Sequence, residues 1–279
     1  MLHPNFGFIA PPFQLSPDPG FYFESSGHGR ALSYLKYGVY QREGFIVITG
    51  EIGSGKTMIV RTLLDGLNPS TVAAAQVVNT QLDACGLLQA ICTAFGIRPQ
   101  GGSKAASLAS LEAFFTALAS VGRRALLVVD EAQNLGFNEL EELRMLSNFQ
   151  LGNQALLQSF LVGQPQLRET LRARQTEQLR QRVLASYHLG PLSAPETRSY
   201  IEHRLHCVGW KDEPAIRDQA FADIHAASRG IPRLINVLCT RVLLGIWLGG
   251  RSVITALDVA EAASELMGEQ AVAMTGRSP

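Results

Sequence analysis

Lys56, Thr57, Asp130 and Glu131 are the residues of this 279-residue chain whose types and spacing could do chemistry together. Gly50-Glu51-Ile52-Gly53-Ser54-Gly55-Lys56-Thr57 fits G-x-x-x-x-G-K-[ST] at every fixed position. In such a loop Gly50, Gly53 and Gly55 permit positive φ, and backbone N–H groups close on phosphate oxygens. Glu51, Ile52, Ser54 and Met58 complete the nucleotide-binding stretch. A helix opening after Lys56 aims its free N–H groups and positive dipole end at the same anion. Lys56 can reach the β- and γ-phosphates, and the Thr57 hydroxyl can ligate Mg²⁺. Asp130-Glu131 ends the apolar run Ala125-Leu126-Leu127-Val128-Val129. An acid at the carboxyl end of a buried strand can hold the metal shell, and a second beside it can take a proton from water. Asp130 is therefore expected at the metal and Glu131 as general base, with ATP and Mg²⁺ as the ligands and ATP hydrolysis as the chemistry.

Those residues need a sheet to hold them. Apolar strand signals at 45–48, 71–78, 125–129, 156–163 and 187–189 alternate with helical ones at 29–41, 82–95, 108–118, 138–149 and 165–184. A helix also opens after the glycine-rich loop. This alternation predicts an α/β fold with a five-stranded parallel sheet flanked by helices. After Pro195 only helical signals remain, at 195–208, 214–228, 232–248 and 255–267. The expected layout is an aromatic- and proline-rich arm at 1–24, a nucleotide-binding core at 25–192, a small all-helical domain at 193–268 and a flexible tail at 269–279.

Bulk properties limit the partners. Lys plus Arg and Asp plus Glu number 24 each, so no whole-chain field draws the protein to nucleic acid. The N-terminus lacks a secretory signal, and the longest apolar run, 234–250, is broken by Asn236 and Arg241. Cys85, Cys92, Cys207 and Cys239 form no C-x-x-C pair and read as reduced thiols. A cytoplasmic protein without a transmembrane segment is expected. His203 and His206 lack a convincing third ligand for a metal. Trp210 and Trp247 read as packing residues, because no aromatic-basic alternation surrounds them.

The chain resembles the AAA+ ATPases of the ExeA/GspA type. The arm FQLSPDPGFYF, the segment GHGRALSYLKYGV, the loop GEIGSGKT, the strand LLVVDEAQNL, LVGQPQLRETL and LRQRVLASYHLGPL carry that resemblance. EELRMLSNFQLGNQALLQSFLVGQPQ and GIPRLINVLCTR are similar to the branch encoded with exosortase/PEP-CTERM and exopolysaccharide loci. The resemblance implies a P-loop NTPase of the AAA+ class, with the helical domain as a lid. It places Gln164 at the sensor-1 position, Arg233 at sensor 2 and His28 near the adenine. It makes Arg182 the arginine finger, with Arg180 in reserve.

The resemblance further implies a ring-type homo-oligomer such as a hexamer. Its service would be to exopolysaccharide or secretion machinery at the inner membrane, where the protein could sit peripherally. Longer relatives continue into a membrane span and a peptidoglycan-binding module, so the partner is expected to supply the client. Two other readings stay open: a DNA-targeting ATPase of the transposition-regulator type, and a non-hydrolysing nucleotide switch. Balanced charge weighs against the first, and Glu131 in the base position against the second.

Overall fold

A computed structural model describes residues 6–78, 80–99 and 101–275. The chain divides into two compact units: Ser26–Glu51 with Lys56–Leu189, and Met1–Ser25 with Ile52–Gly55 and Gly190–Pro279.

The first unit is built on the apolar runs. Its elements, in chain order, are α1 (Ser26–Gln41), β1 (Phe45–Gly50), α2 (Lys56–Asp65), β2 (Val72–Val77), α3 (Ala84–Ala94), α4 (Lys104–Ser120), β3 (Arg124–Val129) and α5 (Phe137–Leu146). There follow a small hairpin of β4 (Gln150–Leu151) and β5 (Gln154–Ala155), then β6 (Leu157–Gly163), α6 (Gln166–Arg172), α7 (Glu177–Arg180) and β7 (Val183–Leu189). Five strands form one parallel sheet in the order β2-β3-β6-β1-β7. β1 and β6 are buried along their whole length, as continuous apolar strands covered on both faces must be. One core cluster packs Leu87, Ile91, Leu111 and Phe115 against Val47, Leu127 and Leu161. A second packs Leu35, Ile59 and Leu63 against Ile46, Val128 and Phe160.

The register decides where the chemistry lies. Thr49 pairs with Gly163, and Val129 with Leu161. The ends of β1, β6 and β3 are thus side by side, and the segments leaving them start from one edge.

Two expectations, one helix and one strand, change in this unit. The helix expected over 165–184 stops at Arg172, because Ala173 turns extended (φ −60°, ψ 146°). The Thr176 hydroxyl then folds back onto the carbonyl oxygens of Thr170 (2.8 Å) and Ala173 (3.0 Å), satisfying groups a continuing helix would have bonded. The strand expected at 187–189 starts earlier, at Val183. As an edge strand it alternates in exposure and carries no continuous apolar signal. Gly44, at φ +67°, permits the Phe45 N–H to reach the Arg182 carbonyl at 2.9 Å, which anchors the start of β7 beside β1.

The second unit holds α8 (Ala194–His206), β8 (Ala215–Ile216), α9 (Asp218–Ser228), α10 (Pro232–Leu248), β9 (Val253–Ile254) and α11 (Ala256–Thr275). Its core includes Tyr200, Leu205, Ile224, Ile235, Leu238 and Ile246, with Phe8 and Phe13 of the arm inserted among them. The unit is not purely helical: β8 and β9 pair in parallel, Ala215 with Val253 and Ile216 with Ile254. The helix expected from Pro214 accordingly starts only at Asp218. The tail expected to be flexible from 269 is helical through Thr275, and residues 276–279 lie outside the described residues.

Candidate nucleotide site

β1 ends at Gly50 and α2 starts at Lys56, so the glycine-rich loop links a buried strand to a helix N-terminus. Gly53 (φ +80°) and Gly55 (φ +99°) take the left-handed backbone that glycine alone adopts freely. Gly50, expected to share that role, instead closes β1. Lys56 is 7% exposed, and its ammonium donates to the carbonyl oxygens of Gly50 (2.8 Å) and Glu51 (2.9 Å). Burial pulls its pKa below the ordinary lysine value, while the charges of Glu131, Asp130 and Glu51 push the other way. Glu51 and Ile52 are exposed at the tip, Ser54 is buried, and Met58 is half-buried on α2.

Asp130 leaves β3 almost fully buried. Its Oδ2 accepts from the Thr57 hydroxyl at 3.2 Å, and its Oδ1 from the Glu131 N–H at 2.9 Å. Burial raises its pKa above the usual carboxylate range, opposed chiefly by that Glu131 hydrogen bond. The Gln76 amide nitrogen, on β2, lies 3.5 Å from the same Oδ2. Thr57 and Asp130 together offer hard oxygen ligands, the chemistry Mg²⁺ takes when most of its shell comes from phosphate and water. Among the described residues no cluster of three or more His, Cys, Asp or Glu could hold a metal, His203 and His206 included.

Glu131 sits at φ 51°, ψ 36°, a left-handed conformation unfavourable for a side chain with a Cβ. Three contacts hold it there. Asp130 takes its N–H, and its carbonyl accepts from the Thr80 hydroxyl at 2.8 Å and from the Asn134 N–H at 3.0 Å. The carboxylate Oε2 accepts from the Gln133 amide at 2.5 Å and from the Gln164 amide at 3.3 Å. Gln133 Oε1 in turn accepts the Gln164 backbone N–H at 2.9 Å.

The structure therefore brings Lys56, Thr57, Asp130, Glu131 and Gln164 to one sheet edge. Gln133, Thr80 and Gln76 join them without having been singled out from sequence. Only Gln133 had a signal, its place in Asp130-Glu131-Ala132-Gln133 directly after the two carboxylates.

The other candidates lie elsewhere. Arg182 is half-buried at the amino end of β7, and its guanidinium donates to Ser147 Oγ at 2.8 Å. Arg180 is exposed, with Glu177 3.9 Å away. His28 is buried on the α1 face that also buries Ala31, Leu32, Leu35 and Gly38. Arg233 lies in the first turn of α10, and its N–H donates to the Gly53 carbonyl at 3.1 Å within the second unit. A Cβ on Gly53 would stand 2.3 Å from the Arg233 Cβ, a second reason for glycine there.

Residues 39–171 match the family model of an AAA domain. The chain is 39% identical over 264 residues to "General secretion pathway protein A" of Aeromonas hydrophila, covering 94% of this chain and 48% of the relative. The chain thus carries an AAA domain over residues 39–171 and is related in sequence to that protein. It spans about half the relative's length, 48%. Solved structures share the fold of this chain at lower identity. Cdc6p from Pyrobaculum aerophilum matches with a TM-score of 0.70 at 17% identity, covering 91% of this chain and 70% of that one. The Aeropyrum pernix ORC2 protein matches with 0.67 at 19% identity, covering 91% and 71%. The Thermotoga maritima RuvB Holliday junction branch migration motor matches with 0.57 at 20% identity, covering 88% and 70%. None of the described helices is long and apolar enough to cross a membrane.

Proposed function

We propose that the chain binds ATP with Mg²⁺ and hydrolyses it at interfaces between copies of itself arranged in a ring. The observation that carries this reading is the Thr57–Asp130 contact beside Glu131, at the edge where the glycine-rich loop starts. Lys56 would exchange its two carbonyl partners for β- and γ-phosphate oxygens, which offer a charge its present partners lack. Thr57 and Asp130 would hold the metal ion, which when bound neutralises charge on the phosphate oxygens. Glu131, with Oε1 unpartnered among the described residues, would accept the proton of the attacking water. Gln164 would orient that water or the γ-phosphate. Arg233 would supply paired donors to the γ-phosphate, Arg182 would serve a neighbouring copy's nucleotide, and His28 would pack near the adenine. For Arg182 this means giving up Ser147, and exposed Arg180 is the reserve.

The domain reading we propose has an arm to residue 24, a core to 192, a lid to 268 and a tail beyond. The client we propose is an exopolysaccharide- or exosortase-associated secretion or assembly system at the cytoplasmic face of the inner membrane. Its support is the relation to general secretion pathway protein A, together with the similarity of the 141–166 and 230–241 segments to the exopolysaccharide-locus branch.

The test is steady-state ATPase rate against protein concentration, with Arg182→Ala protein mixed into wild type. A rate per subunit that rises with concentration and falls more steeply than the wild-type fraction is expected. A concentration-independent rate in simple proportion to the wild-type fraction would mean a self-contained site and remove the ring.

A further inference from the structure

Gln133 is an amide side chain at the carboxylate edge whose two ends each hold a residue of the proposed chemistry. Its amide nitrogen donates to Glu131 Oε2 at 2.5 Å, while its amide oxygen accepts the Gln164 backbone N–H at 2.9 Å. The side chain thus spans from the segment after β3 to the segment after β6. Its reach depends on two local features. The first is the left-handed Glu131, which turns the chain at once into the tight 132–134 turn and brings residue 133 back under the carboxylate. The second is Gly163, the last residue of β6. A Cβ there would stand 2.8 Å from Gln133 Oε1, 3.1 Å from the Gln133 backbone nitrogen and 3.2 Å from Leu167 Cδ2, so a larger residue would crowd Gln133 at both its backbone and its side-chain oxygen. Gly163 has no left-handed backbone to explain its identity, and room for Gln133 does explain it.

We propose that Gln133 is a positioning residue that fixes the Glu131 carboxylate for proton abstraction and ties it to the sensor segment at Gln164. The inference rests on Glu131 acting as the general base. A carboxylate on a two-bond stem has free rotamers, and a base must meet its proton at hydrogen-bond distance. With Gln133 and Gln164 both donating to Oε2, that oxygen is pinned and Oε1 is left for water. Because the same amide accepts the Gln164 N–H, a shift of Gln164 on phosphate binding is transmitted to the base through one rigid group. An asparagine or serine at 133 could not span both partners.

The test compares Gln133→Met and Gln133→Glu in the full chain, alone and combined with Glu131→Gln. Methionine keeps the length and removes both polar ends. Glutamate keeps an acceptor for the Gln164 N–H but loses the donor to Glu131. Either variant should lower kcat by about 10- to 100-fold, the scale expected for a displaced catalytic group, while KM and ATP affinity stay within about twofold. In Glu131→Gln protein, Gln133→Met should cost nothing further, because its action passes through the missing carboxylate. Wild-type kcat in Gln133→Glu, or a KM that rises in step with lost binding, would overturn the proposal. So would a full multiplicative loss in the double variant. Glu131→Gln alone tests the underlying reading separately: wild-type turnover there removes the base, and a Gln133→Met loss in that same protein would then show action independent of it.

Discussion

Two buried polar networks in this chain look alike in composition and differ in what they leave open. In the second unit Arg204, 6% exposed, donates to the Pro12 carbonyl at 2.7 Å, the Gln14 carbonyl at 3.3 Å and the Tyr200 hydroxyl at 2.8 Å. Tyr200 donates onward to Asn236 Oδ1 at 2.9 Å, and the Asn236 amide returns to the Gln14 carbonyl at 3.4 Å. The Phe21 ring covers the guanidinium at 4.9 Å. The partners are carbonyls and side chains of one unit, each fixed by its own backbone, so the network closes on itself and staples the arm to α8 and α10. In the first unit the Lys56 ammonium rests on the carbonyls of Gly50, at the end of β1, and of exposed Glu51, and Glu131 keeps an oxygen without a partner among the described residues. Burial also lowers the Lys56 pKa and raises that of Asp130, so both charges lie where their ionised forms are disfavoured without further partners. A closed network stabilises the fold, and an open one is poised for a ligand.

Breaking the open network should therefore cost binding and little stability. Lys56→Ala should weaken ATP binding by about 10²- to 10⁴-fold, from two charge-assisted hydrogen bonds at about 1.5–3 kcal/mol each. The melting temperature of the nucleotide-free protein should barely move, since the substitution also removes a desolvated ammonium. Fluorescent-nucleotide titration and calorimetry check the two halves. A collapse of stability with the lysine would mean that the carbonyl contacts are structural and that the two networks are the same kind.

Breaking the closed network should do the reverse. Arg204→Ala takes the guanidinium donors from the Pro12 carbonyl and the Tyr200 hydroxyl, leaves the Gln14 carbonyl only the Asn236 amide, and opens a void under Phe21. A loss of about 2–4 kcal/mol is expected for such a buried network. At about 2–4 °C per kcal/mol for a chain of this size class, thermal unfolding of the second unit should fall by about 5–15 °C. ATP affinity of the protein that remains folded should be unchanged. Arg204→Lys should recover only part of the stability, because an ammonium cannot serve three separated acceptors as a fork does. Unchanged melting in Arg204→Ala would mean that the arm is held by its other contacts, Phe8 and Phe13 among them.

The contrast also explains what the sequence disclosed. Lys56, Thr57 and Asp130 were legible because a loop motif and an apolar strand fix their neighbours within a few residues, and the parallel sheet does the rest. The fold class followed from apolar runs whose burial the sheet order required. The break at Ala173 and the early start of β7 were hidden, because the break depends on the Thr176 hydroxyl folding back and an edge strand carries a weak apolar signal. The short β8–β9 pair was hidden for a related reason, joining segments far apart in sequence with two residues each. Gln133 was hidden because its meaning depends on the left-handed Glu131 and on the space above Gly163. Arg204 gave no signal at all, since the carbonyls it serves lie almost two hundred positions away.

The finest distinction concerns the two donors on Glu131 Oε2. The Gln164 amide stands at 3.3 Å, against 2.5 Å for Gln133, and its backbone N–H, not its side chain, is what Gln133 holds. Gln164→Leu removes the longer contact and leaves the backbone link intact. If Gln164 acts only by helping to hold the base, kcat should drop about three- to tenfold, near 1 kcal/mol, with KM unchanged, and less than in Gln133→Met. A loss larger than that of Gln133→Met would shift the weight of the argument. The Gln164 side chain would then have to leave Glu131 and touch the γ-phosphate or the attacking water during turnover, and its contact with the carboxylate would be a resting position.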